Sequence, residues 1–502
     1  MQHLVINNGF PWLSLLLLLP LAGALLLPLI GRERPARLLA LAVTLGNTLA
    51  TLPVLHGFVS GSKTFQFMQL HSWIPQLHIN YAVGLDGPAA FLLLLITGLM
   101  PFAMLALWHT PALHPGPALP CLLMLESAMV GLVIALDFVL FFLFWVAMLM
   151  PLYLLLAPAG SETSRRAAAR FCLLAMAASA PLLVLGIGLY LENGTFFLPA
   201  MMWQACDPNR QLHILLAFLL ALMVRIPLFP CHTWLPSVLS GAPPAATLIL
   251  TALLPGLSLC GLLRFCIPLC PDAFLRLAPN MLYLSAIGAL YGGWAALCQK
   301  NLHRLLAHVL ICNIALITLG VFSGAAQSLQ GSVLHLIHLS LLCTGLCLCL
   351  GLLARRGLQP DLEQAAASLA RMPRLAACFG LLALAACALP CTSGFAGALL
   401  ILSGTGTDRL ALQLLAAAGL ILAAIALLRL PALALCAPRP SGSGRTADLS
   451  LRELLPLAPV LLMMLWLGLA PQGFLAALQP DLSELLQHMQ DWQAGQRHSL
   501  FP

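Results

Sequence analysis

Six ionisable side chains lie inside or at the ends of long apolar stretches of this chain: Glu126, Asp137, Arg225, His232, His335 and His338. A charged or titratable group in hydrocarbon is costly and is normally retained for function. The chemistry open to such a set is proton relay, which needs groups whose pKa can be carried across the working pH. His335 and His338, one helical turn apart, are the leading residual candidates for protonation, and a buried hydrogen-bonded pair is the plainer account of them. Arg225 cannot relay, because a guanidinium stays protonated. If buried it needs a carboxylate or several carbonyls, and Glu126 or Asp137 is the expected partner. His232 lies just before Trp234 in a proline-rich segment and is expected to cap freed backbone rather than bind metal. His303 and His308, on either side of Arg304, read as interfacial side chains.

The elements that must hold these groups are membrane helices. Hydrophobic residues make up 61% of the 502-residue chain and charged residues 8%, with mean hydropathy +0.98, whereas a soluble chain carries roughly a quarter charged residues. Apolar stretches long enough to cross a bilayer recur throughout. Candidate spans fall near 11–30, 38–57, 84–107, 118–136, 138–157, 169–191, 211–230, 243–266, 278–298, 304–323, 331–353, 375–402, 410–436 and 455–475. Their Leu/Ala-rich runs are too long and too weakly alternating for barrel strands. The predicted fold is an all-α polytopic membrane protein of about 14 spans.

Basic residues give the orientation. One set of loops receives Arg32, Arg34, Arg37, then Arg165, Arg166, Arg170, then Lys300, Arg304, then Arg355, Arg356, Arg371, Arg374, then Arg439, Arg445, Arg452. The opposite loops receive only Lys63, Arg210, Arg264, Arg276 and Arg409, with Arg497 in the tail. The asymmetry predicts that the first set is cytoplasmic and both termini are periplasmic. The net charge of +7 is then a matter of topology, and no basic stretch has the aromatic interleaving of a nucleic-acid site. No basic region precedes the first span, so it does not read as a cleaved signal.

The 16 cysteines fall mostly inside spans and include the pairs Cys266/Cys270 and Cys387/Cys391 and the trio Cys343, Cys347, Cys349. No paired CxxC or Cys/His array suggests zinc or an iron–sulfur cluster. The cysteines read as small packing residues. No glycine-rich nucleotide fingerprint follows a predicted strand, so no flavin, NAD or other cofactor is expected on this chain.

Two spans are interrupted. Pro227, Pro230 and Pro236 forbid a continuous helix through the seventh, and Pro390 within Ala388-Leu389-Pro390-Cys391-Thr392-Ser393-Gly394 interrupts the twelfth. Paired broken helices five spans apart are the mark of a transporter built from repeats; two structural kinks are the simpler alternative.

Specific motifs then accumulate. Phe144-Trp145-Val146-Ala147-Met148-Leu149-Met150-Pro151-Leu152-Tyr153 resembles the fifth helix of the M subunit of bacterial NADH–quinone oxidoreductase (respiratory complex I). His232-Thr233-Trp234-Leu235-Pro236 with Ser240-Gly241-Ala242-Pro243 is similar to the "HxWLPxxxxxAP" signature of that family. Leu85-Asp86-Gly87, Arg304-Leu305-Leu306-Ala307 and Ser450-Leu451-Arg452-Glu453-Leu454 match further family segments in the same order. The resemblance, to a family shared with Mrp-type proton-conducting transporters, runs nearly end to end. It implies two inverted five-helix repeats with broken seventh and twelfth helices. It divides the chain into 1–110 (helices 1–3), 111–266 (repeat one), 267–437 (repeat two) and 438–502 (loop, last helix and polar tail).

The resemblance also assigns a proton path, and this chain has lost it. The fifth-helix glutamate falls on Val146, the seventh-helix lysine on Arg225 and the eighth-helix lysine on Gly256. The tenth-helix histidine falls on Asn313, the eleventh-helix histidine on Leu339 and the twelfth-helix acid or lysine on Ala398. The acid and histidine that assist the seventh-helix break fall on Ser237 and Leu239. None of these side chains exchanges protons near neutral pH.

Three functions stay open at this point: a non-pumping scaffold subunit in the membrane arm of a complex I-type assembly, a translocator with a path rewired through Glu126, Arg225, His335 and His338, or an antiporter-like partner in a hydrogenase, cation/proton antiporter or inorganic-carbon uptake complex. Each places the chain in a bacterial inner membrane beside other membrane subunits. The stretch Pro438–Gly444 reads as a short loop, and the tail from about 476 as amphipathic, with Leu478, Leu482, Leu485 and Leu486 on one face against the outer surface or a partner.

Overall fold

The computed structural model describes residues 9–62, 65–108, 115–157, 162–202, 207–358, 360–437 and 448–500. Lys63 and the Pro438–Gly444 loop, with Arg439 and Arg445, lie outside them. The chain is a helical multi-pass bundle, and among the described residues twelve helices are long and apolar enough to cross a membrane. In chain order the helices are α1 Trp12–Leu26, α2 Glu33–Gly57, α3 Gly87–Trp108, α4 Pro115–Ile134, α5 Phe138–Leu156, α6 Glu162–Asn193, α7 Pro208–Arg225, α8 Trp234–Leu239 and α9 Pro244–Leu269. They continue as α10 Pro271–Leu297, α11 Leu302–Phe322, α12 Ala326–Arg355, α13 Leu362–Leu369, α14 Pro373–Ala386, α15 Ser393–Gly404, α16 Leu410–Cys436, α17 Leu451–Leu469 and α18 Gln472–Leu500. The predicted fourteen exceed the twelve long helices by the two interrupted segments.

Proline accounts for both interruptions. After Arg225 the chain runs through turns to Thr233, because Pro227 and Pro230 donate no backbone hydrogen bond. The second break separates α14 from α15, with Ala388 and Cys391 at positive φ (50° and 78°) on either side of Pro390. Milder distortions have the same cause. The α5 ladder falters at Met148 because the ring of Pro151 crowds the carbonyl of Ala147, four residues back. Two π-turns in α9, Ile249–Leu253 and Leu262–Cys266, contain Thr251 and Arg264, each four residues before a proline, Pro255 and Pro268. The Ala252 carbonyl in the first π-turn accepts from Ser340 Oγ of α12 at 2.6 Å.

One element was not legible as a strand. Residues 66–85 form an antiparallel hairpin, β1 Gln66–Ile74 and β2 Ile79–Leu85, with Leu70 opposite Ala82 and His71 opposite Tyr81. The predominantly helical fold stands, with this hairpin added at one end of the bundle. Backbone bonds tie it down: Leu136 N donates to Ala82 O at 2.9 Å, and Met68, Ala82 and Leu136 form a small apolar cluster of their own. The third span accordingly starts at Gly87.

The bundle interior is dense. α9 and α11 are wholly enclosed by other helices. α10 crosses α16 so closely that a Cβ on Gly293 would lie 2.0 Å from the Gly419 carbonyl oxygen, so only glycine fits. Most of the cysteines are buried, as packing residues would be; Cys298, Cys391 and Cys436 are exposed. The tail helix α18 turns back onto the bundle. Leu478 and Leu482 are fully buried, Leu485 and Leu486 half-buried, and Phe474 meets Phe91 edge-on with ring centroids 4.5 Å apart.

An ion pair locks the hairpin end to the core. Arg264 donates from Nε to Asp86 Oδ2 at 2.9 Å and from Nη2 to Oδ1 at 2.8 Å, and its Nη1 reaches the carbonyls of Val133 and Ala135. One side chain thus joins α9, the β2–α3 junction and the end of α4. The bidentate fork fits guanidinium and no other side chain. Removing one partner leaves the other charged and poorly solvated, at a cost of about 3 kcal/mol. Asp86→Ala is therefore expected to lower the melting temperature in detergent by several degrees, and Arg264→Lys, which keeps the charge and loses the fork, to lower it by less. A thermal scan showing no shift for Asp86→Ala would remove the structural role.

Candidate functional site

The site begins at the last residue of α7. Arg225 is buried, with 1% of its surface exposed, yet among the described residues no carboxylate pairs with it. Its Nη2 donates to the Trp145 carbonyl, and its guanidinium carbon lies 3.8 Å from the centre of the Trp145 ring. Nε and Nη1 have no hydrogen-bond partner. The expected pairing with Glu126 or Asp137 is therefore corrected: a carbonyl and an indole face hold the charge. Trp145 is itself fixed, donating from Nε1 to Ser179 Oγ of α6 at 2.9 Å and stacking on Phe141.

Asp137 works as the N-cap of α5. Its Oδ1 accepts from Val139 N at 2.9 Å and its Oδ2 from Asn80 N of the hairpin at 3.1 Å. Val146 is half-buried on the same helix. His232 does not cap freed backbone; that falls to Trp234, whose Nε1 donates to Val224 O at 2.9 Å across the break. His232 is buried, lies 5.6 Å from Phe229 and 4.9 Å from Tyr291 between ring centroids, and keeps Nδ1 unpaired.

Glu126 belongs to a polar cluster that the sequence reading missed. It is fully buried on α4 and accepts from Asn47 Nδ2 of α2 at 2.8 Å through Oε1, while Oε2 has no partner. Beside it, Thr51 Oγ1 bonds Thr97 Oγ1 at 3.0 Å and Thr48 Oγ1 donates to Thr97 O at 2.6 Å. The available signal was the run Thr44, Asn47, Thr48, Thr51, which places polar groups on one face of an apolar span.

The centre of the bundle is apolar. At Gly256 of α9 an added Cβ would lie 2.9 Å from Leu92 Cδ2 of α3 and 3.4 Å from Leu336 Cδ2 of α12. Those two leucines fill the space that a longer side chain would need. Ala398 is buried on α15 and Leu339 on α12.

Beyond that gap polarity returns. His335 Nε2 bonds Asn313 Oδ1 at 2.9 Å, and Asn313 Nδ2 donates to Val309 O at 2.8 Å. An amide oxygen only accepts, so His335 donates from Nε2 and its unpaired Nδ1 carries the lone pair. His338 Nδ1 bonds Ser393 Oγ at 3.0 Å, at the start of α15 just after the second break. The two imidazole centres are 5.4 Å apart. The structure thus gathers Asn313, His335, His338 and Ser393, and among the described residues no hydrogen bond or ion pair joins them to Arg225 or Glu126. His308 bonds its own helix through Nδ1 to Arg304 O at 2.8 Å.

A buried arginine held by one carbonyl is a weak contributor to stability, and a well-packed apolar side chain of similar volume often does as well or better. Arg225→Met is therefore expected to keep or raise the melting temperature. Trp145→Ala, which removes the ring and leaves the charge, is expected to lower stability by about 3–5 kcal/mol. Thermal unfolding of the three proteins decides it: a large loss with Arg225→Met would mean that the charge is required for the fold.

This geometry has close counterparts. Residues 135–426 match the family described as NADH:quinone oxidoreductase/Mrp antiporter, transmembrane. Subunit M of the NADH-quinone oxidoreductase of Mycobacterium tuberculosis is 31% identical, over 95% of this chain and 94% of its own. The NADH-ubiquinone oxidoreductase chain 4 of Arabidopsis thaliana is likewise 31% identical, over 95% and 97%. Among solved structures, a chain of respiratory complex I from Thermus thermophilus superposes with TM-score 0.85 at 29% identity, covering 95% of this chain and 99% of that one. A chain of the Mrp complex from Dietzia shares the fold, with TM-score 0.82 at 20% identity over 96% and 99%. With the M-subunit relatives matched over almost their whole length, this multi-pass membrane chain belongs to the NADH:quinone oxidoreductase/Mrp antiporter transmembrane family.

Proposed function

We propose that the chain is a membrane-arm antiporter-like subunit of a complex I-type assembly that scaffolds its neighbours without a proton channel of its own. The observation that carries this is the apolar plug at Gly256, where Leu92 and Leu336 close on a position that holds a lysine in the resembling subunit. A proton crosses such a gap only through water, and water needs polar partners on both sides. Arg225 is a fixed charge held on Trp145, and Val146 and Ala398 offer no titratable atom. The halves 111–266 and 267–437 then act as two inverted repeats that keep their packing role.

Reconstituted alone, the chain is expected to give proteoliposomes no more proton-permeable than empty ones, and Val146→Glu alone is expected to leave this unchanged. A rewired path is the competing reading, favoured by the unpaired Oε2 of Glu126 and by the His335/His338 pair. Conduction well above empty vesicles that is abolished by His338→Ala or Glu126→Gln would establish that path and defeat the scaffold. Membership of an Mrp-type, hydrogenase or carbon-uptake complex is decided separately, by the subunits that co-purify from native membrane.

The same proposal places the chain in a bacterial inner membrane with both termini periplasmic. Cys298 is exposed and two residues from Lys300, on the arginine-rich side. A membrane-impermeant maleimide should label Cys298 in inverted vesicles and not in spheroplasts, with Cys298→Ser as the control. The opposite pattern would reverse the topology.

A further inference from the structure

A cavity of about 520 Å³ opens where α3 ends, α9 begins, α12 ends and α17 begins. Its size falls in the range of small-ligand sites, roughly 300–1,000 Å³. Its walls are mostly apolar and come from four helices far apart in sequence: Leu105, Pro244, Leu348 and Pro456, with buried Cys347 at depth. Its rim is polar and carries Arg355, Arg452 and Glu453.

The charge at the rim is unbalanced. Glu453 is spoken for several times: it accepts from Arg356 Nη2 at 3.0 Å, pairs with Arg355 at 3.5 Å and caps its own helix through Ser450. Two guanidinium groups, those of Arg355 and Arg356, thus share one carboxylate. Arg452 is exposed and has no ion-pair partner among the described residues. The opening lies on the side of the bundle where arginines concentrate.

An apolar shaft under a cationic rim, at the end of a membrane helix bundle, matches one molecular shape. We propose that this cavity binds an anionic glycerophospholipid, with one acyl chain along Leu105, Leu348 and Cys347 and the phosphodiester at Arg452 and Arg355. Each basic residue near a membrane surface adds about 1 kcal/mol of attraction to an anionic lipid, which is about a fivefold change in binding. A bound chain would also bridge α3, α12 and α17, which otherwise meet at this end across a void.

The test uses the purified full chain in detergent, with lipid retention read by native mass spectrometry. Phosphatidylglycerol, phosphatidylcholine and inorganic phosphate are offered separately. The expected result is retention of phosphatidylglycerol over phosphatidylcholine, with no competition from phosphate. Arg452→Gln is expected to weaken retention about fivefold, and Arg355→Gln/Arg452→Gln more. Leu348→Trp fills the shaft without touching the charge and should reduce retention of phosphatidylglycerol as well, while maleimide labelling of Cys347 should slow when that lipid is added to the unmutated chain. Thermal unfolding of each variant separates loss of the site from loss of the fold. Equal retention of both lipids, displacement by phosphate, or retention and Cys347 labelling indifferent to these changes in folded variants would overturn the proposal.

Discussion

Hydrocarbon offers no hydrogen bonds, so a polar group in this bundle is costly unless it finds a partner inside the chain. Much of the architecture follows from that constraint. Where prolines remove backbone donors and crowd the carbonyls behind them, something nearby answers: Trp234 Nε1 for Val224 O at the first break and Ser340 Oγ for Ala252 O at the π-turn of α9. Where the ladder ends at the hairpin, Asp137 caps one element and Arg264 collects two loose carbonyls while pairing with Asp86. The fold motifs that survive in the sequence, the Asp86-Gly87 pair and the Trp234-Leu235-Pro236 run among them, are those whose loss would strand such groups.

The same constraint explains why Arg225 sits where it does. With valine at position 146 there is no carboxylate on that turn of α5, and a lysine ammonium, compact and strongly hydrated, would be left without a counter-charge. A guanidinium is flatter and more weakly hydrated, and it can stack on an aromatic face. The chain supplies that face from Trp145, the residue next to Val146, together with its carbonyl. Val146 and Arg225 are thus best understood together: a position with no acid, and beside it a fixed charge held on a ring.

Much of the fold was open to reading from the sequence because membrane helices announce themselves by length and hydropathy, and because proline-rich segments locate the breaks. The hairpin was not, since its strands of 9 and 7 residues lie in a connection between two strong apolar runs, and alternation that short is easily taken for a loop. The site was read less well than the fold, for a physical reason: pairings depend on which helices touch. Glu126 meets Asn47 across 79 residues, and Asp86 meets Arg264 across 178. No spacing rule predicts either. Local pairings were more accessible, and His335 with His338 follows directly from helical geometry.

The phase of α12 decides how the two halves of the bundle differ. Leu336, Ser340 and Cys347 face α9: Leu336 covers Gly256, Ser340 bonds Ala252, and Cys347 lies 3.8 Å from Thr251. Their spacing of four and seven residues marks one stripe of the helix. Leu339, three residues after Leu336 and four after His335, lies between that stripe and the histidines. His335 and His338 lie to one side of it and turn to Asn313 and Ser393. The imidazoles of this helix thus bond α11 and α15, while Leu336, Ser340 and Cys347 meet α9. A rotation of α12 by one residue, about 100°, would exchange the two stripes, but Ser340 bound to Ala252 on one side and a glycine contact at Gly331 against Gly397 on the other pin the helix as it stands. The polar track of the second half and the apolar plug of the first are in this sense two faces of one helix.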